Sequence, residues 1–205
     1  MIKRILILFA IAQLSMMGYS QTPKWAEKAK KAVFSVVTYD ANDKILNTGN
    51  GFFISEKGVA ISDYALFKNA QRAVIITSEG EKMPVKAILG ANDMYDVVKF
   101  SVDITSKKVA NLTLSETPMT EGSKLWLLPY STQKVRSLTS GNVNSVDKIS
   151  DYAYYTINLP LKEKMVSCPL MNDEGLVVAL AQKASGQDTA TICYGVDARF
   201  ANSQE

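Results

Sequence analysis

No histidine occurs anywhere in the 205 residues, and cysteine occurs only twice. The missing imidazole removes the side chain whose ordinary pKa suits proton transfer near neutral pH. Serine or cysteine nucleophiles that depend on a histidine base are therefore excluded. Cys168 and Cys193 lie far apart in sequence, and with no histidine beside them a structural zinc site is unsupported. There is no C-x-x-C pair, so a thioredoxin-like redox centre is unsupported as well. A marked excess of one charge is also lacking: 23 basic residues stand against 20 acidic ones, a formal charge of +3, and the basic residues are scattered. A nucleic-acid surface needs them concentrated, so nucleic acid is not an expected partner. No motif implies a cofactor or a metal. After the first twenty residues no apolar run is long enough to span a bilayer.

What is present begins with a targeting pattern. Lys3 and Arg4 precede the apolar stretch Ile5–Leu14, and Gly18-Tyr19-Ser20 follows. This order predicts a signal peptide over residues 1–20, cleaved before Gln21, and an exported chain, periplasmic or extracellular. The apolar stretch is too short for a full span, and no cysteine follows it closely to carry a lipid. The remaining residues, 21–205, suffice for one domain of two packed lobes. Loss of Lys3 and Arg4 leaves 21 basic against 20 acidic residues, a charge of +1. In an exported chain an even cysteine count favours a disulfide between Cys168 and Cys193. Two buried thiols packing as small apolar groups are the other reading.

Pro23–Lys31 carries helix-forming residues and predicts one short helix, with Lys28, Lys30 and Lys31 on its wet face. From Ala32 the pattern changes to short β-rich runs divided by Gly, Asn, Asp and Ser clusters. The first half holds Val33–Tyr39, Asn50–Ser55, Val59–Leu66, Arg72–Ser78, Lys82–Leu89 and Asp96–Val102. The second holds Asn111–Leu114, Lys124–Tyr130, Val135–Val146, Ala153–Leu159, a strand pair within Cys168–Gln182 around Asp173-Glu174-Gly175, and Thr189–Val196. Two sets of short antiparallel strands suggest two small barrels, one over about 32–103 and one over about 110–201, with a seam near Asp103–Ala110. Sandwiches would give similar strand counts, so periodicity alone does not choose between them.

Particular residues decide. Thr48-Gly49-Asn50-Gly51-Phe52-Phe53-Ile54-Ser55 is followed by Gly58-Val59-Ala60-Ile61-Ser62-Asp63-Tyr64-Ala65, then Asp96-Val97-Val98-Lys99-Phe100, Ser140-Gly141-Asn142-Val143, Lys164 to Leu170, and Tyr194-Gly195-Val196. In order and spacing these segments resemble trypsin-like serine peptidases of the high-temperature-requirement type, over about Ala32 to Ala201. The chain is also similar to exported trypsin-like peptidase domain proteins of Bacteroidota. The resemblance implies an all-β fold of two six-stranded antiparallel barrels behind a short N-terminal helix.

It also implies that the catalytic positions are degenerate. The family's histidine falls on Ala65, whose methyl group accepts no proton, and its aspartate falls on Asp96. With Pro169-Leu170 as anchor, the nucleophile position holds Val166 and the oxyanion glycine is replaced by Lys164. Triad members act as a unit, so losses at independent positions forfeit most of the catalytic advantage. Asp96 then reads as a turn and hydrogen-bonding residue. Ser167, one position on, is the fallback nucleophile, with Lys162 or Lys164 as the base of a Ser–Lys arrangement. The position that sets a basic preference in such enzymes falls near Asn158.

The expectation is an exported pseudoprotease that binds a peptide or protein in the cleft between barrels, against the alternative of a hydrolase built on Ser167. Tyr152, Tyr154 and Tyr155 read as cross-strand packing rather than a groove lining, and Trp126 reads as core.

Overall fold

The computed structural model describes residues 22–106, 108–183 and 193–201. The predicted signal peptide, the start of the Thr189–Val196 run and Lys107 of the predicted seam lie outside the described residues. Twelve strands form two closed antiparallel barrels. Barrel one is β1 (Val33–Tyr39), β2 (Ile45–Phe53), β3 (Val59–Ser62), β4 (Arg72–Ile76), β5 (Lys82–Asn92) and β6 (Val97–Val102), in the order β1-β2-β3-β6-β5-β4. Barrel two is β7 (Lys124–Leu127), β8 (Thr139–Ile149), β9 (Tyr152–Asn158), β10 (Pro169–Met171), β11 (Val177–Gln182) and β12 (Cys193–Asp197), in the order β10-β11-β12-β9-β8-β7. The two orders correspond position for position. This is the trypsin-like double barrel.

Barrel one closes over Phe34, Phe53 and Phe100, whose rings meet edge to face, with Ile75, Met83 and Val98 around them. Barrel two closes over Leu125, Leu127, Tyr155, Ile157 and Leu170. A third cluster joins the barrels, with Val33, Phe52 and Ile61 from one packing on Trp126, Leu128, Met171 and Leu180 from the other. The tight corner of barrel two needs Gly141, where a Cβ would stand 2.1 Å from the Asn158 carbonyl oxygen.

Several predicted elements are corrected. Asn111–Leu114 is not a strand: only Leu114 forms a bridge, to Val177. Its neighbours bond to different barrels, Leu112 N–H to Phe53 O and Thr113 O to Val177 N–H, so no ladder builds on one partner. Splitting the Cys168–Gln182 run into β10 and β11 keeps barrel two at six. The Val59–Leu66 run stops at Ser62 and turns into a 3₁₀ segment over Tyr64–Leu66. Asp96 sits just outside β6 in the left-handed region, with φ 52°.

The N-terminal helix is shorter than predicted: α1 spans Ala26–Ala29 and continues as a 3₁₀ turn over Lys30–Ala32. It buries Ala26, Ala29 and Ala32 and bolts onto barrel two. The indole N–H of Trp25 donates to Asp173 O and that of Trp126 to Asp173 Oδ1. Lys30 is not on a wet face. Its side chain is 14% exposed, pairs with Glu27 and donates to Gln133 O at 2.7 Å. Lys28 is exposed.

Candidate active site

The residues singled out from sequence converge on the barrel seam. β3 ends at Ser62, whose hydroxyl donates to Asn50 O in β2. The chain then turns through Asp63 into the 3₁₀ segment that holds Ala65. Asp96 binds this segment twice: Oδ1 accepts from Ala65 N–H at 2.6 Å and the backbone carbonyl from Tyr64 N–H at 3.2 Å. From barrel two, Gln182 Nε2 donates to Tyr95 O at 3.0 Å, which ties β11 to the start of β6.

Opposite lies the loop before β10. Glu163–Met165 forms a 3₁₀ turn. The N–H groups of Met165, Ser167 and Cys168 are spent on Lys162 O, Ala181 O and Met165 O. The carbonyls of Lys164 and Val166 both face barrel one, where Asn50 Nδ2 donates to them at 3.0 and 2.8 Å. Asn50 is buried, so these bonds pin the loop across the seam. Val166 and Met165 pack against the barrel-two core. Ser167 adopts φ 65° and is 1% exposed. A buried hydroxyl on such a backbone is poorly placed for attack on a bound substrate.

Sequence reading passed over Asp63. It named the residue only within the segment Gly58 to Ala65, yet Asp63 is 5% exposed, sits beside Ser167 and Gln182, and lies near Asp96 and Cys168. Burial pushes its carboxyl up to about 7. The Ser167 hydroxyl works against that rise, the Asp96 charge adds to it, and the Gln182 amide opposes it. Even so, neither Asp63 Oδ1 nor Ser167 Oγ has a hydrogen-bond partner of normal geometry among the described residues. The signal available in sequence was an acid one residue past the apolar run Val59-Ala60-Ile61. Gln182, the other seam residue missed, ends an apolar strand in the same way.

Cys168 and Cys193 are both buried and both free thiols, so the disulfide is not formed. Cys168 is hydrogen-bonded to Ala181 in β11, and Cys193 begins β12 on the far side of that strand. Two strand spacings, about 9.5 Å, exceed the span a disulfide bridges without backbone movement. Burial pushes each thiol up to about 12. Asn158, at the end of β9, is exposed and pairs with Asn142. Among Tyr152, Tyr154 and Tyr155, Tyr155 is core and accepts from Met119 N–H, Tyr152 stacks on Phe200, and Tyr154 packs on Tyr194. Among the described residues no three Cys, Asp or Glu gather as a metal site requires.

Beside the loop, a groove of ≈ 660 Å³ runs between the barrels, lined by Ser35, Thr48, Gly49, Asn50, Tyr130, Lys162 and Lys164. Two closed six-stranded barrels with a turn and a loop facing each other across the seam are the frame of the trypsin-like peptidases. The family model described as a trypsin-like peptidase domain matches residues 49–180. The chain belongs to that family. The match runs from β2 to β11, so it reaches into both barrels and covers the candidate positions Ala65, Asp96, Val166 and Ser167. No curated protein matches the chain.

Proposed function

We propose that this trypsin-like peptidase domain is an exported, catalytically inactive member of its family, of the high-temperature-requirement type. Its cleft holds an extended segment of a peptide or protein. The observation that carries the reading is the pairing of Ala65 and Val166 at the two reacting positions of a chain with no histidine. A methyl group and an isopropyl group can neither take a proton nor attack a carbonyl. The groove beside them owes its shape to the packing of two barrels, so it outlasts the loss of the triad. A segment lying along it would gain main-chain hydrogen bonds in the manner of an added strand.

A second reading rests on one observation, the proximity of the Asp63 carboxyl to Ser167. An acid with a pKa about 7 is suited to act as a base near neutrality. Burial of Ser167 and the want of a formed bond between the two groups weigh against it. Incubating the purified protein with a fluorophosphonate probe separates the readings. No labelling is expected. Covalent labelling that disappears in Ser167→Ala would move the protein into the hydrolases.

A further inference from the structure

The groove between the barrels carries a charge that its fold does not use. Lys162 and Lys164 are exposed on its rim, two residues apart, and neither has an ion-pair partner among the described residues. Among the described residues no carboxylate lines the groove. Its remaining walls are the uncharged side chains of Ser35, Thr48 and Asn50 and the ring of Tyr130. Most of these polar groups are already engaged. Asn50 is committed to the loop carbonyls, the Ser35 hydroxyl donates to Gly49 O, and the Tyr130 hydroxyl to Thr77 O. The two ammonium groups are therefore the free donors that face an incoming ligand.

Among the described residues four lysines are neutralised by carboxylates. Lys30 meets Glu27, Lys31 meets Glu79, Lys68 meets Asp93 and Lys108 meets Glu56. Lys162 and Lys164 have no such partner among the described residues and stand together on one side of a cleft. The loop that bears them is also fixed in place by Asn50, so their positions are set before a ligand arrives.

We infer that the cleft selects an acidic ligand: an extended peptide segment whose Asp or Glu side chains, or terminal carboxylate, are met by Lys162 and Lys164. The inference rests on the reading of the cleft as a peptide-binding groove and adds the chemistry of what it takes. A nucleic-acid strand fits less well. It needs a run of cations along several phosphates and aromatic faces for its bases, and this groove offers two lysines and one ring. A carboxylate peptide needs no more than the two charges and a wall of neutral hydrogen-bonding groups.

The test is a binding titration by fluorescence anisotropy at low and at moderate salt. One labelled octapeptide carries adjacent glutamates; its twin carries glutamines; a short single-stranded oligonucleotide serves as the third probe. The glutamate peptide is expected to bind about tenfold tighter than its twin, the yield of two rim charge pairs, and to lose that margin as salt rises. The double variant Lys162→Glu with Lys164→Glu reverses the order of the two peptides. Both positions are exposed, so the variant folds, and an unchanged melting curve verifies it. Equal binding of the two peptides overturns the charge selection and leaves the peptide-binding reading standing. Failure of both peptides overturns that reading as well. Tighter binding of the oligonucleotide than of either peptide assigns the lysines to a different partner and overturns the inference.

Discussion

Asp197 and Asp63 are both buried carboxyls, one at the end of β12 and one at the end of β3, and they are treated in opposite ways. Asp197 is fully engaged. Its oxygens accept from Ala153 N–H at 3.0 Å, from Arg199 N–H at 2.9 Å and from the Arg199 guanidinium, which approaches to 2.6 Å. That guanidinium also donates to Asp151 O, so the charge is both neutralised and anchored. Among the described residues Asp63 has an oxygen with no partner and faces an equally unpartnered serine hydroxyl, and burial raises its carboxyl to about 7. Buried polar groups in folded proteins are satisfied as a rule, and the exceptions collect at functional or formerly functional places. The contrast separates a carboxyl that holds the fold together from one left at the candidate site on the barrel seam. The second has no structural account in its own hydrogen bonds.

Removing the partner of the satisfied carboxyl gives the largest expected effect. Arg199→Ala leaves Asp197 buried and without its counter-ion, which costs about 3–5 kcal/mol in such sites. Urea unfolding followed by tryptophan fluorescence reads the loss. A cost under about 1 kcal/mol would mean that the backbone N–H groups alone hold the charge, and the contrast with Asp63 would weaken.

Asp63 sets the next effect, and its sign follows from the direction of its shift. An aspartate titrates at 3.8 in the unfolded chain and at about 7 here. The folded state therefore holds the proton more tightly. The stability this brings is complete below about 3.8 and is lost as pH rises to about 7. Three units correspond to at most about 4 kcal/mol. Asp63→Asn keeps the shape and removes the titration. The variant is expected to lie within about 1 kcal/mol of the parent at pH 4 and to exceed it by about 2–4 kcal/mol at pH 8. Chemical unfolding of both proteins across that range measures the gap. A difference that does not change with pH would show that Asp63 stays charged in the folded protein and finds partners there.

The contrast also marks how far sequence reached. The barrels were legible because turn residues punctuate short apolar runs, and the order of Gly49-Asn50-Gly51-Phe52, Ser140-Gly141-Asn142-Val143 and Pro169-Leu170 chose barrels over sandwiches. Strand limits were less so. Asn111–Leu114 reads as a strand because Leu112-Thr113-Leu114 alternates apolar and polar residues, but its hydrogen bonds are divided between two barrels, and no local pattern encodes that. Lys30 looks like a solvated lysine until the loop at Gln133 folds over it. The candidate positions Ala65, Asp96 and Val166 were assigned by their offsets from motif landmarks in the sequence. Asp63, Gln182 and Ser167 meet only after the two barrels dock, and nothing within reach of each along the chain announces the meeting. The disulfide expectation failed on the same ground. Cysteine count speaks of compartment, whereas the intervening β11 decides distance.

Ser167 gives the smallest expected effect and the sharpest probe of the region around Asp63. Its φ of 65° belongs to the left-handed region, where a Cβ costs about 1 kcal/mol and glycine costs nothing comparable. Among the described residues its hydroxyl returns no hydrogen bond of normal geometry for that strain. Ser167→Gly should therefore gain about 1 kcal/mol from the backbone, less whatever the hydroxyl contributes to the Asp63 carboxylate. That last contribution exists only when Asp63 is charged, since Ser167 favours the ionised form. The gain should accordingly be larger at pH 5 than at pH 8. Thermal unfolding at the two pH values, with Asp63→Asn as the background in which the pH dependence vanishes, measures both parts. A glycine variant that is destabilised at both pH values would mean that the hydroxyl does hold the seam, and Ser167 would join Asp197 on the satisfied side of the comparison.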